Sequence, residues 1–173
     1  MSMTLSISGR YRNEIAHKVF AMDETDRRIL ACLQEDATMP VAEIARRVGL
    51  SSTPCWRRIQ KLEEEKVIRG RVALLDPKKV NVGVTVFVTI RTSKHSGEWL
   101  KEFAAAVRDM PEVMEFYRMS GAVDYQLRVV VPDIDAYDRF YRRLIDRIEL
   151  SDVSSSFAME QIKYTTALPL DYA

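Results

Sequence analysis

The sequence predicts an α+β chain: an N-terminal winged-type helix-turn-helix, followed by a ferredoxin-like βαββαβ domain. Three observations predict it. Between Asp23 and Lys66, apolar residues recur at helical spacing, and Gly49 sits between two short helical runs. From Val84 the period drops to two, in VTVFVTIR. Strand-like and helix-like stretches then follow in the order β-α-β-β-α-β as far as Glu160. The expected divisions are an extension over 1–21, the helix-turn-helix domain over 22–76, a linker over 77–83 and the second domain over 84–173.

The chain has 173 residues, enough for one large domain or two small ones, and its hydrophobic fraction of 47% suits a buried core. No apolar run approaches the ~20 residues of a membrane span, and the first residues, MSMTLSISGRYRNEIAHKVFA, lack the apolar core of a secretion signal. A cytoplasmic protein without membrane partners is expected. The net charge is +1, and residues 23–76 carry ten Lys or Arg against ten Asp or Glu. Total charge therefore does not advertise nucleic-acid binding. The distribution is more informative: Arg46, Arg47, Arg57, Arg58, Lys61, Arg69 and Arg71 follow an acidic start, and folding is expected to gather them on one face. Cys32 and Cys55 fall at apolar helix positions and read as reduced core residues. His17 and His95 are isolated, so no metal, cofactor or catalytic cluster is expected, and an enzyme is the disfavoured alternative.

Ile7, Tyr11, Ile15 and Val19 recur every four residues and outline a weak helix in the extension. Asp23 is the expected N-cap of the first clear helix, with Glu24 and Asp26 complementing its dipole and Ile29, Leu30 and Leu33 forming its seam. That helix ends near Glu35, and Thr38, Met39 and Pro40 make the break. Val41–Val48 is the second helix, with Ile44, Ala45 and Val48 inward. Gly49 permits a tight turn by taking φ > 0.

Ser51 caps a third helix reading SSTPCWRRIQKLEEEK, in which Pro54 falls inside the first turn. Cys55, Ile59 and Leu62 form its apolar stripe. The opposite face carries Thr53, Arg57, Gln60 and Lys61, with Trp56 and Arg58 on the flanks. Small hydroxyl residues at the N-terminus and a basic, amide-bearing outer face suit the DNA major groove. Arg57 and Lys61 would reach base edges with Thr53 and Gln60. Ser51, Ser52, Trp56 and Arg58 are placed for phosphate. Two alternatives stay open: Arg58 as a salt bridge to an acid of the first helix such as Asp26, and Trp56 as packing at the helix junction.

Arg69 to Leu75 reads as a short strand ended by Asp76-Pro77. Strands follow at Val84 to Arg91, Val113 to Met119, Tyr125 to Val131 and Val153 to Glu160. Helices follow at Ser96 to Met110 and from Pro132-Asp133 to about Ile148. Helices would cover one face of the resulting sheet. The other, expected to be apolar and aromatic, needs a cover, which a second copy of the chain supplies most simply.

This arrangement resembles the Lrp/AsnC family of transcription regulators, over roughly Asp23 to Leu170. DETDRRILACLQEDA and VAEIARRVGLSSTPCWRRIQKLEEEKVI resemble the family's helix-turn-helix, and MSGAVDYQLRVVVPD its G-x-x-D-Y effector loop. TPCWRR, ALLDP, HSGEW and DVSSSFAMEQIKYTTALPL resemble a subgroup that senses L-cysteine and controls cysteine-degrading enzymes. The resemblance implies double-stranded DNA as a partner, a small amino-acid effector, and a homodimer assembling to a tetramer or octamer. It also implies that the second domain senses ligand and oligomerises. Asp124 would hold the effector's ammonium, N–H groups near Gly121 its carboxylate, and Ser120, Ser154 and Ser156 would line the site. Asp124 as a turn-capping carboxylate is the alternative, and an effector-independent DNA-organising protein is the alternative function.

Overall fold

The computed structural model describes residues 20–94 and 96–173. The helix expected around Ile7 to Val19, together with His17 and His95, lies outside the described residues. Two compact units emerge, and the described residues of the first are 20–73 together with 164–173; the second is Leu74–Lys163. Residues 164–173 thus group with the first unit, whereas the sequence reading assigned them to the second domain.

The first unit contains α1 (Glu24–Glu35), α2 (Val41–Val48) and α3 (Ser52–Glu64). Asp23 caps α1 in a reciprocal box: Asp26 N–H donates to Asp23 Oδ1 at 2.8 Å, and Asp23 N–H donates to Asp26 Oδ2 at 3.3 Å. Gly49 ends α2 at φ +76°, the left-handed value the tight turn required. The Arg28 guanidinium donates to the Arg47 and Val48 carbonyls, satisfying the carboxyl end of α2 from α1. Ile29, Leu30, Ile44, Ala45, Val48, Cys55, Ile59 and Leu62 form one buried cluster, to which the stripe of each helix contributes. Cys32 and Cys55 are free thiols in that core, and burial pushes the Cys55 thiol up.

Arg69 to Leu75 is not a strand. Its composition is β-compatible, but a strand exists only where a neighbour completes the ladder, and no backbone partner meets it among the described residues. Val72, Leu74 and Leu75 are exposed. The linker turns tightly instead of extending: Lys78 N–H donates to the Asp76 carboxylate at 2.9 Å, and Val82 N–H to the Pro77 carbonyl at 2.8 Å.

The second unit holds β1 (Val84–Arg91), α4 (Gly97–Arg108), β2 (Val113–Arg118), β3 (Tyr125–Val131), α5 (Ile134–Arg147) and β4 (Asp152–Phe157). The sheet order is β2-β3-β1-β4, with every pair antiparallel, as a split βαβ arrangement requires. Ser96 and Asp133 cap α4 and α5 through their side chains. Val86, Val88, Ile90, Leu127, Val129 and Val131 project to the helix side and meet Phe103 and Phe140. Trp99, Phe103, Phe116 and Tyr125 form an aromatic knot with ring centroids 4.8–5.7 Å apart.

The opposite face is more polar than expected. Strand alternation places Thr85, Phe87 and Thr89 there, with Gln126, Arg128 and Val130 of β3 and Ser154 and Ser156 of β4. Glu115 accepts from Arg128 Nε at 2.8 Å and from the Tyr117 hydroxyl at 3.0 Å. These bonds, Arg128 first, hold the Glu115 carboxyl below its ordinary range.

Candidate nucleic-acid interface and effector loop

Helix α3 delivers the expected division of faces. Cys55, Ile59 and Leu62 are at most 2% exposed, whereas Ser51, Ser52, Thr53, Arg57 and Lys61 are exposed. Ser51 occupies the N-cap with extended backbone, yet its side chain makes no capping bond, and no acidic residue stands in the first turn. The first-turn N–H groups are thus left for another acceptor, the arrangement an incoming phosphate needs. Trp56 is 51% exposed, so it is not buried in the helix junction.

Arg57 and Arg58 separate sharply. Arg58 Nη1 donates to Asp23 Oδ2 at 2.7 Å and to Asp26 Oδ1 at 2.8 Å, tying α3 to the cap of α1. Backbone bonding from Asp26, then Arg58, lowers the Asp23 carboxyl below its usual range. The alternative of a salt bridge to the first helix is the geometry found, and Arg58 is not free for phosphate. Arg57 makes no hydrogen bond or ion pair among the described residues. It borders an open concavity with Pro54, Lys61, Ala21, Asp23 and Asp26. Lys61 Nζ lies 5.2 Å from the centre of the Phe20 ring. Gln60, half-buried, spends its amide on Glu63 at 3.0 Å, so it is less available to a base than its wheel position implied.

The expected basic cluster is largely neutralised. Arg46 and Arg47 both bind Glu43, Arg47 also reaches Glu35, and Arg71 binds Glu63 at 2.8 Å. Bonds from Arg46 and then Arg47 pull the Glu43 carboxyl down to about 2. Arg57, Lys61 and Arg69 are without an ion-pair partner among the described residues. A neutral module can thus still present a small positive patch at α3.

The second candidate site is the loop Ser120 to Asp124 between β2 and β3. Gly121 has φ +131°, a conformation that L side chains rarely adopt. The loop closes through Met119 N–H to the Asp124 carbonyl at 2.8 Å and docks on β1 through Asp124 N–H to the Ile90 carbonyl at 3.0 Å. Asp124 Oδ2 accepts from Thr92 N–H at 2.9 Å, a bond to the segment just after β1 and not to its own turn. One bond on one oxygen leaves lone pairs for another donor.

Arg91, which sequence reasoning missed, donates through Nε to the Ala122 carbonyl at 2.8 Å, while its Nη1 lies 3.9 Å from Asp152. Its one signal was its place at the end of the VTVFVTIR alternation, in phase with Thr89. Ser154 pairs with Thr89 and Ser156 with Phe87. Ser154 therefore lies near the end of β1 that carries the loop. Ser156 lies about 10 Å from the Ile90 end at ~3.3 Å per residue, and an intervening strand separates β4 from β3. Within one chain the structure does not bring Ser156 to Asp124.

The comparisons with known proteins follow the same division of the chain. The profile of the AsnC-type helix-turn-helix domain matches residues 22–63, and that of the Lrp/AsnC ligand binding domain matches 85–168. The DNA-binding transcriptional activator DecR of Escherichia coli (strain K12) is 51% identical over 151 residues, 87% of this chain and 99% of that protein. The crystal structure of an AsnC family transcriptional regulator from Agrobacterium tumefaciens is 71% identical and superposes with a TM-score of 0.85, covering 87% and 99% of the two chains. A transcriptional regulator from Neisseria meningitidis in complex with L-Met is 36% identical at a TM-score of 0.83, covering 88% and 99%. Both units of the chain are thus matched by the two family profiles, and these relatives are covered over nearly their whole length; the chain belongs to the Lrp/AsnC family of DNA-binding transcription regulators.

Proposed function

We propose that the outer face of α3 reads duplex DNA and that an amino acid bound at the Ser120–Asp124 loop regulates this binding. The observation that carries the DNA half is the unpaired, exposed Arg57 in a module whose neighbouring arginines are tied to carboxylates. Arg57 would pair with guanine in the major groove, and Thr53 and Lys61 would flank it at base edges or phosphate. Ser51, Ser52 and the free first-turn N–H groups would seat a phosphate, with Trp56 beside them. Two copies joined across the open sheet face would present two α3 helices to successive major grooves, about one helical turn apart. Tetramers or octamers would extend that contact along the duplex.

The effector proposed is L-cysteine, with a cysteine-degrading enzyme as the regulated product. Its support is the resemblance of TPCWRR, ALLDP, HSGEW and the terminal DVSSSFAMEQIKYTTALPL to cysteine-responsive regulators. The L-Met bound to the similar Neisseria protein is another sulfur-containing amino acid. Asp124 would take the ammonium on its remaining lone pairs, and the loop around Ser120 and Gly121 would meet the carboxylate. Ser154 would line one side, and Ser156 would contribute only from another copy. For the effector to act, it must bind one assembly better than another.

A thermal-shift series with the twenty amino acids tests this. L-cysteine should raise the unfolding midpoint most, since a ligand at 100 times its Kd stabilises by about 2.7 kcal/mol. A larger shift with another amino acid would replace the effector. No shift with any would favour the effector-independent DNA-organising reading, to which the Asp124–Thr92 bond gives a specific basis.

A further inference from the structure

After β4 the chain returns to the first unit, and its last ten residues settle against α1. Gln34 brackets Leu168 with both ends of its amide: Nε2 donates to the Leu168 carbonyl at 3.1 Å, and Leu168 N–H donates to Oε1 at 2.6 Å. That is recognition of main chain, independent of the side chain at 168. Two residues on, Leu170 packs against the core cluster of the three helices. Arg27 then donates to the Ala173 carbonyl at 2.8 Å. A cavity beside the docked tail is lined by Leu30 and Leu33 of α1, by Ala37 just after that helix, by Ile68 after α3, and by Leu168 and Leu170 of the tail itself. None of its lining residues belongs to the outer face of α3. The tail and DNA therefore do not compete for the same side chains.

We infer that Tyr164–Ala173 is a C-terminal clip: a peptide ligand that the DNA-binding module captures in the α1 groove. Because the clip follows β4 after residues 158–163, it attaches the module to the ligand-binding domain a second time, in addition to the linker. Residues 158–163 allow this second tether a reach of at most ~20 Å. Leu168 and Tyr172 remain 73% and 90% exposed, so the detached peptide would bind weakly. Tethering supplies an effective concentration of order mM, enough to hold a weak ligand in place. A doubly attached module has fewer poses available, and two such modules meet successive grooves at a smaller entropic cost. This consequence rests on the DNA reading of α3, whereas docking of the clip does not.

The test uses the full chain, wild type and Gln34→Ala, with Leu170→Ser as a second variant. Hydrogen exchange reads the Leu168 amide, and fluorescence anisotropy reads affinity for a duplex selected by the wild-type chain from a random-sequence pool. The Leu168 amide should exchange about 10-fold more slowly in wild type than in an unstructured peptide, as millimolar tethering of a weak ligand implies. Gln34→Ala should abolish that protection, leave the amides of α1 to α3 protected, and weaken duplex binding about 3- to 10-fold through the lost preorganisation. Leu170→Ser should do the same. A Leu168 amide exchanging freely in wild type would overturn the clip. Lost protection with unchanged duplex affinity would overturn its role in presenting the module. A wild-type chain that selects no duplex while Leu168 stays protected would refute the DNA reading and leave the docked clip standing.

Discussion

The outer face of α3 and the Ser120–Asp124 loop are both polar sites on stable scaffolds, but they are made differently. On α3, the helix fixes which side chains point outward, and ion pairs decide which of them remain usable. Arg57 and Arg58 are adjacent, roughly 100° apart around the axis, and only Arg57 is left without a carboxylate partner. At the loop, backbone groups do most of the shaping: Gly121 bends it, Ile90 and Asp124 dock it, and Arg91 clamps the Ala122 carbonyl. A site on a helix face thus depends on charge partners, whereas a site at strand ends depends on hydrogen bonds to main chain.

The difference can be broken most forcefully from beneath the loop. Tyr125, next to Asp124, packs in the aromatic knot around Phe103, which is fully buried. Phe103→Ala should cost about 3–5 kcal/mol of stability in the second unit. Thermal unfolding followed through aromatic circular dichroism would measure it, and a loss under 1 kcal/mol would remove the knot as the loop's foundation. Next comes Asp124→Asn, which keeps an acceptor for Thr92 N–H and removes the charge. Amino-acid binding measured by calorimetry should weaken by about 1.5–3 kcal/mol, the range for a hydrogen bond to a charged group. Unchanged binding would leave Asp124 an acceptor for Thr92 N–H and nothing more.

Smaller effects sharpen the α3 side. Arg58→Met should lower stability by about 1 kcal/mol, as expected of a partly exposed ion pair, and urea unfolding would read it. Glu43→Gln should matter least and show itself in pH dependence. The folded carboxyl sits at about 2, below its ordinary 4.5, so its contribution is present above pH 4.5 and disappears as pH falls toward 2. Acid titrations of wild type and Glu43→Gln should converge over that window. Curves that stay parallel through it would show that the bonds from Arg46 and Arg47 contribute nothing.

Much of this was legible in the sequence, for physical reasons. The three N-terminal helices announced themselves through caps and a 3.6-residue period, with Asp23, Gly49 and the Cys55–Ile59–Leu62 stripe all where those rules put them. The β-α-β-β-α-β order was equally readable, because alternation and helix caps are local signals. What local signals cannot report is a partner. Arg69 to Leu75 has the residues of a strand and lacks a neighbour to pair with. Arg58 points as the wheel says, but a wheel does not show that Asp23 and Asp26 stand opposite. The tail was missed because Gln34 reads the Leu168 main chain, which no side-chain pattern reveals. Arg91 was missed because its role is a bond to a carbonyl oxygen in a distant loop.

The most direct measurement compares Arg57→Ala with Arg58→Met in one anisotropy titration, on the duplex the wild-type chain selects. Arg57→Ala should weaken specific binding by about 1–3 kcal/mol, as loss of a bidentate base contact does. Arg58→Met should leave it within about twofold, since its guanidinium is spent within the protein. Undiminished binding by Arg57→Ala would contradict the claim that the outer face of α3 meets base edges.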